Sequence, residues 1–80
     1  MRLFINNLPK DFSSNDLKEM FLSYGTVISA KIVTDADSGE SRGFGFVEMS
    51  SFHEGESAIK ELNGQEIKDK IILVETARSK

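Results

Sequence analysis

Arg42-Gly43-Phe44-Gly45-Phe46-Val47-Glu48-Met49 alternates residue by residue between two chemical characters. In a β-strand successive side chains point to opposite faces. Arg42, Phe44, Phe46 and Glu48 therefore share one face, and Gly43, Gly45, Val47 and Met49 share the other. The second set is small or aliphatic and suits a buried side, where glycines 43 and 45 are expected to let a helix pack closely. The first set mixes two aromatic rings with charge, an unusual choice for either a core or an ordinary solvated surface.

The rest of the chain reads outward from this strand. Upstream, Leu3-Phe4-Ile5-Asn6-Asn7-Leu8 is a short β-prone run stopped by Pro9, which has no amide donor for a ladder. Leu3 and Ile5 point one way, and Arg2, Phe4 and Asn6 the other. Ser13 is placed to cap a helix, with Asp16 closing a capping box three residues on. Leu17, Met20, Phe21 and Tyr24 follow at helical spacing, and Gly25 ends the helix. A strand over 27–34 puts Val27, Ala30 and Ile32 inward and Lys31 and Val33 outward, with an irregularity near Ser29. The turn-forming residues 35–41 make a mobile hairpin loop into the strand already described. A second helix is expected over 52–62, burying Phe52, Gly55, Ala58, Ile59 and Leu62 and stopping at Asn63-Gly64. A final strand over 71–76 closes the chain. The order βαββαβ implies an α+β fold, a four-stranded antiparallel sheet with both helices on one face, the ferredoxin-like sandwich.

Eighty residues leave room for one domain, spanning 1–80. With 39% hydrophobic and 29% charged residues the chain has the composition of a folded globular domain. No apolar run approaches the ~20 residues of a membrane span, so no membrane partner is expected. The chain has no cysteine, which excludes disulfides and thiolate metal sites. A cytoplasmic setting is the expectation, or a nuclear one in a eukaryote. The net charge of −3 is the opposite of a basic footprint. Affinity for a polyanion depends on the cations near its phosphates, however, and the overall sum mainly affects steering.

With the first and third strands adjacent, Phe4, Phe44 and Phe46 would form one exposed platform. Burying a phenylalanine is worth roughly 1.5–3 kcal/mol, so three left outside mark a binding surface. Flat π-faces suit nucleobases, each stacked base contributing about 1–3 kcal/mol. Arg42, at the loop end of the same face, has the guanidinium geometry for a two-bonded contact with phosphate.

The octapeptide resembles the octamer signature of the RNA recognition motif, K/R-G-F/Y-G/A-F-V-x-F/Y, in seven of eight positions. Met49 replaces the usual aromatic, but it points inward, so packing rather than ligand contact should change. Leu3 to Leu8 resembles the family's hexamer signature, about forty residues earlier as the family requires, and the resemblance extends over essentially the whole chain. It implies binding of single-stranded RNA without catalysis or cofactor, through stacking of bases on Phe4 and Phe46. It also implies sugar packing on Phe44, a phosphate contact from Arg42, and base-edge hydrogen bonds from Asn6, Lys31 and the exit at Thr76 to Arg78. Lys80 would add a phosphate contact. Single-stranded DNA is a further possible ligand, because nothing identifies a 2′-hydroxyl reader. Glu48, Glu75 and the acidic 35–41 loop point to modest affinity. The domain is expected to act as a monomer. Its ends fit a stand-alone protein of the bacterial single-domain type, although an excised domain would look the same.

Two other classes bear on the same residues. A protein-interaction module could use this sheet or the helix at 13–23, but members of the family used that way generally lack the sheet aromatics retained here. An acyl-phosphatase-like enzyme on this fold would need an arginine in the loop at 7–13, and there is none. His53 is the single histidine, without a nucleophile or second metal ligand beside it. Asp35, Asp37 and Glu40 lack the twelve-residue calcium pattern and are read as a solvated turn. No metal site is expected.

Overall fold

The computed structural model describes residues 1–77. Its elements are β1 (Arg2–Asn6), α1 (Ser14–Leu22), β2 (Val27–Thr34), β3 (Ser41–Met49), α2 (Phe52–Leu62), β4 (Glu66–Ile67), β5 (Lys70–Ile71) and β6 (Leu73–Thr76). Four strands form one antiparallel sheet in the order β2-β3-β1-β6. The expected sheet and both expected helices are present. β4 and β5 form a separate small hairpin that the sequence did not reveal. Ile71 belongs to that hairpin, so the last strand of the main sheet begins at Leu73 rather than at 71. The hairpin turns through Lys68 and Asp69, both at positive φ (48° and 73°). Such turns usually announce themselves with Asn-Gly or Asp-Gly, and Lys-Asp does not.

Alternation along the strands separates the sheet's two faces. Leu3, Ile5, Val47 and Met49 are fully buried and pack with Leu17 and Phe21 of α1 and Ala58 and Leu62 of α2. Met49 thus occupies the core, as its place in the alternation predicts. Each of the large core side chains contributes roughly 1.5–3 kcal/mol through removal from water. β2 is irregular at the expected place, its register with β3 shifting between Val27 and Ser29, and Ile28 is turned out to solvent there.

Local polar bonds hold the elements in position. Asp16 N–H donates to Ser13 Oγ and Ser13 N–H to Asp16 Oδ2, both at 3.0 Å, completing the capping box of α1. Ile32 N–H donates to Ser14 Oγ (2.9 Å), which ties the start of α1 to β2. Asn63 Oδ1 accepts from Val74 N–H (2.9 Å), bonding the end of α2 to β6. The 35–41 loop is organised by Asp35, whose Oδ1 accepts from the N–H groups of Asp37 (2.8 Å) and Ser38 (3.0 Å).

Two expectations are corrected. Phe52 is 63% exposed and not part of the buried stripe of α2. It is the first residue of the helix, and helical side chains lean toward the N-terminus, so its ring projects beyond the end of the core. Gly43 makes no helix contact; its φ of +84° lies where only glycine is comfortable, within the second register shift of β2 against β3. Gly55 is buried in α2 as expected, and a Cβ there would meet the Met1 side chain. Gly45 does serve close packing: a Cβ there would meet the Lys31 carbonyl oxygen at 2.5 Å and Leu17 Cδ2 at 3.2 Å.

Gly45→Ala should therefore destabilise the fold by about 1–3 kcal/mol, the usual cost of overpacking, measured by urea unfolding. Ser13→Ala should cost about 1 kcal/mol through loss of the cap. The bonds from the Ser13 backbone and then its hydroxyl hold the Asp16 carboxyl below its ordinary 3.8. A lowered folded-state pKa stabilises above the ordinary value, and that contribution fades as pH falls through and below it. The protection of amides in the first turn of α1, relative to their intrinsic exchange at each pH, should accordingly fall below about pH 4 in the parent chain, and less so in Asp16→Asn.

Candidate nucleic-acid interface

The face of the sheet away from the helices is laid out by strand register. β1 pairs with β3 so that Phe4 faces Phe46 and Asn6 faces Phe44, and β1 pairs with β6 so that Phe4 faces Glu75 and Asn6 faces Leu73. On the far side Lys31 of β2 faces Phe46. The central row across the sheet is therefore Glu75, Phe4, Phe46, Lys31. A second row runs Leu73, Asn6, Phe44, and a third sets Arg2 opposite Glu48 with Ser29 beyond.

The three rings are half-buried, and Phe4 packs against each of the other two. Phe4 lies 5.7 Å from Phe44 at an interplanar angle of 53°, and 5.5 Å from Phe46 at 48°, measured between centroids. These tilted contacts are in the preferred range for aromatic pairs and hold each ring against its neighbours while one side stays open. The glycine–aliphatic alternation of β3 places its rings, and the hexamer strand brings the third between them.

Charge is distributed unevenly around the rings. Arg42 Cζ lies 6.0 Å from the Phe44 centroid, and Arg2 Cζ lies only 4.5 Å from that of Phe46. Exposed cation–π contacts of this kind are worth about 0.5–1 kcal/mol. Glu48 Oε2 accepts from the Met1 α-ammonium at 3.1 Å, which also donates to the Met49 carbonyl oxygen at 2.8 Å. Glu75 is exposed beside Phe4. Two shallow recesses flank the central row, one bordered by Phe4, Phe46, Glu75, Thr76 and Ala77. The other is bordered by Arg2, Ser29, Lys31, Val33, Phe46 and Glu48.

Of the residues expected to form the site, Phe4, Phe44, Phe46, Arg42, Asn6 and Lys31 come together on this face. Arg78 and Lys80 lie outside the described residues. Thr76 borders the recess but faces Leu3 across β1 and β6, so by alternation its side chain belongs to the opposite face. Arg2 and Leu73 extend the set. Arg2's alternation with Phe4 already put it on this face, but its contact with Phe46 depends on the β1–β3 register. Leu73, half exposed opposite Asn6, carries no signature of its own.

No described helix is long and apolar enough to cross a membrane. The sequence profile of the RNA recognition motif matches residues 3–73. The chain is 40% identical over 79 residues to the chloroplastic 28 kDa ribonucleoprotein of Spinacia oleracea, covering 99% of this chain and 34% of that protein. It thus spans about a third of that relative's length, whose chloroplast setting gives no support to the cytoplasmic or nuclear one expected here. Among solved structures, RNA binding protein PG1 is similar with a TM-score of 0.96 and 38% identity, covering 100% of this chain and 96% of that one. The chain in the Sxl-lethal protein/RNA complex has a TM-score of 0.94 and 33% identity, covering 99% of this chain and 47% of that one. Fold, paired signatures and relatives agree: this chain belongs to the RNA recognition motif family.

Proposed function

We infer that the chain binds two to four nucleotides of single-stranded RNA on the open face of its sheet, without catalysis. The observation that carries this reading is the row of aromatic rings, Phe4 packed between Phe44 and Phe46, on the face away from both helices. Bases stack on Phe4 and Phe46, Phe44 packs against the sugar between them, and Arg42 meets a phosphate. Asn6, Lys31 and Arg78 bond to base edges. The similarity to relatives and to a chain solved with RNA supports the assignment. Residues 1–80 act as one such domain and as a monomer, and single-stranded DNA is a second candidate ligand, since the bases of either nucleic acid can stack on the rings. A stacking site does not need the nucleophile and base of an enzyme. His53, the single histidine, is exposed at the start of α2, away from the rings.

The charge around the rings points to modest affinity. Glu48 and Glu75 stand on the same face as Arg2, Lys31 and Arg42, and the 35–41 loop adds three acids without a base. Stacking therefore supplies more of the binding than phosphate contacts do.

The double variant Phe44→Ala/Phe46→Ala should stay folded and lose about 2–4 kcal/mol of RNA binding, from the stacking contribution per base. Fluorescence anisotropy with short labelled RNA and a circular-dichroism melt would measure the two properties. Unchanged affinity in the folded variant would refute the platform and favour binding elsewhere. With about one to three phosphates neutralised, the plot of log K against log salt should be shallow, with a slope of about −0.7 to −2. A much steeper slope would show that phosphate contacts dominate.

A further inference from the structure

The two rings of the central row have chemically opposite borders. On the Phe4 side the recess meets the Glu75 carboxylate and the end of β6 at Thr76 and Ala77. The Ala77 N–H is already donated to the Arg2 carbonyl oxygen at 2.9 Å. Among the described residues, what this border offers a base edge is therefore mainly hydrogen-bond acceptors and no cation; Arg78, which follows Ala77 in the sequence, lies outside them. On the Phe46 side the recess meets Lys31, its direct cross-strand neighbour, and Arg2, whose guanidinium lies over the ring. Glu48 also borders this recess, so the balance is two cations to one carboxylate.

A base stacked on a ring presents its edge to whatever borders that ring. A carboxylate accepts from exocyclic amines, whereas Lys and Arg donate to carbonyl oxygens and to purine N7. Resting on the base-stacking reading above, we propose that the two positions select bases of opposite edge chemistry. Phe4, beside Glu75, takes a base with an exocyclic amine; Phe46, beside Lys31 and Arg2, takes one with a carbonyl in the corresponding position. Arg2 stands where the second base would lie, 4.5 Å from the ring centroid. The entering base displaces the guanidinium, which from the same strand position reaches the base edge and donates to it. Arg2 is then a specificity residue that neither signature contains.

Adenine and hypoxanthine test this directly, because they share ring size and differ chiefly in an amine against a carbonyl at position six. Four labelled RNA strands would each carry two adjacent purines between abasic flanks: A-A, I-I, A-I and I-A. One mixed order should bind about five- to tenfold more tightly than both A-A and I-I, the scale of a well-placed base-edge contact. Glu75→Gln should shrink that strand's advantage over I-I, and Lys31→Gln or Arg2→Gln should shrink its advantage over A-A. Glu75, Lys31 and Arg2 are all exposed, so these variants are expected to fold, and a melt would verify it. If A-A or I-I matches the better mixed strand, the edge code is wrong while base stacking stands. Equal weakening of all four strands by each variant would overturn it in the same way. If none of the four exceeds an all-abasic strand, the stacking reading fails, and this proposal with it.

Discussion

The pairing of β1 with β3 is the constraint on which the rest of this molecule depends. Phe4 faces Phe46 because Leu3 faces Val47 and Ile5 faces Gly45. A slip of one residue would turn one strand's aliphatic side chains into water and its aromatic ring into the core. Fully buried Leu3, Ile5 and Val47 hold the register from one side, and the ring contacts lie on the other. The surface that carries the rings and the core that stabilises are thus two consequences of one alignment. Gly45 sits at its centre, where the Lys31 carbonyl oxygen and Leu17 leave no space for a side chain.

A small domain that leaves three phenylalanines half-exposed gives up hydrophobic stabilisation that its size makes scarce. Part of that loss is offset locally. The rings pack on each other, and Arg2 and Arg42 lie near two of them. The remaining apolar faces stay available to flat ligands. Helix caps, the bond from Ile32 N–H to Ser14 and that from Val74 N–H to Asn63 fix the elements behind the platform. The sheet can therefore present its rings in a set geometry before any ligand arrives.

Charge distinguishes this surface from a strongly basic one. With a net charge of −3 and carboxylates on the same face as the rings, the chain has little long-range attraction for a polyanion. The same carboxylates and cations nonetheless stand at different edges of the rings. Short-range discrimination between bases can thus coexist with weak overall attraction, because the first depends on which group borders which ring and the second on the sum.

Much of this was legible in the sequence. Period-two alternation in residues 42–49 and 2–6 separated the two faces, and helical spacing with Ser13 and Asp16 set α1 closely. The 52–62 helix has its expected ends, yet Phe52 is exposed, because a periodic pattern does not say where the sheet beneath a helix stops. The β4–β5 hairpin was hidden because its turn residues take positive φ without the usual glycine or asparagine. Gly43 read as a packing residue, whereas its place is a backbone requirement. By itself, then, the sequence determined which residues could be outside, since the direction of a side chain follows from local periodicity. Only the tertiary structure decided which of them meet: Arg2 over Phe46, Glu75 beside Phe4, Lys31 beside Phe46 and Leu73 beside Asn6. Those neighbours are dozens of residues apart in most cases, and register between strands, which no single strand encodes, is what brings them together.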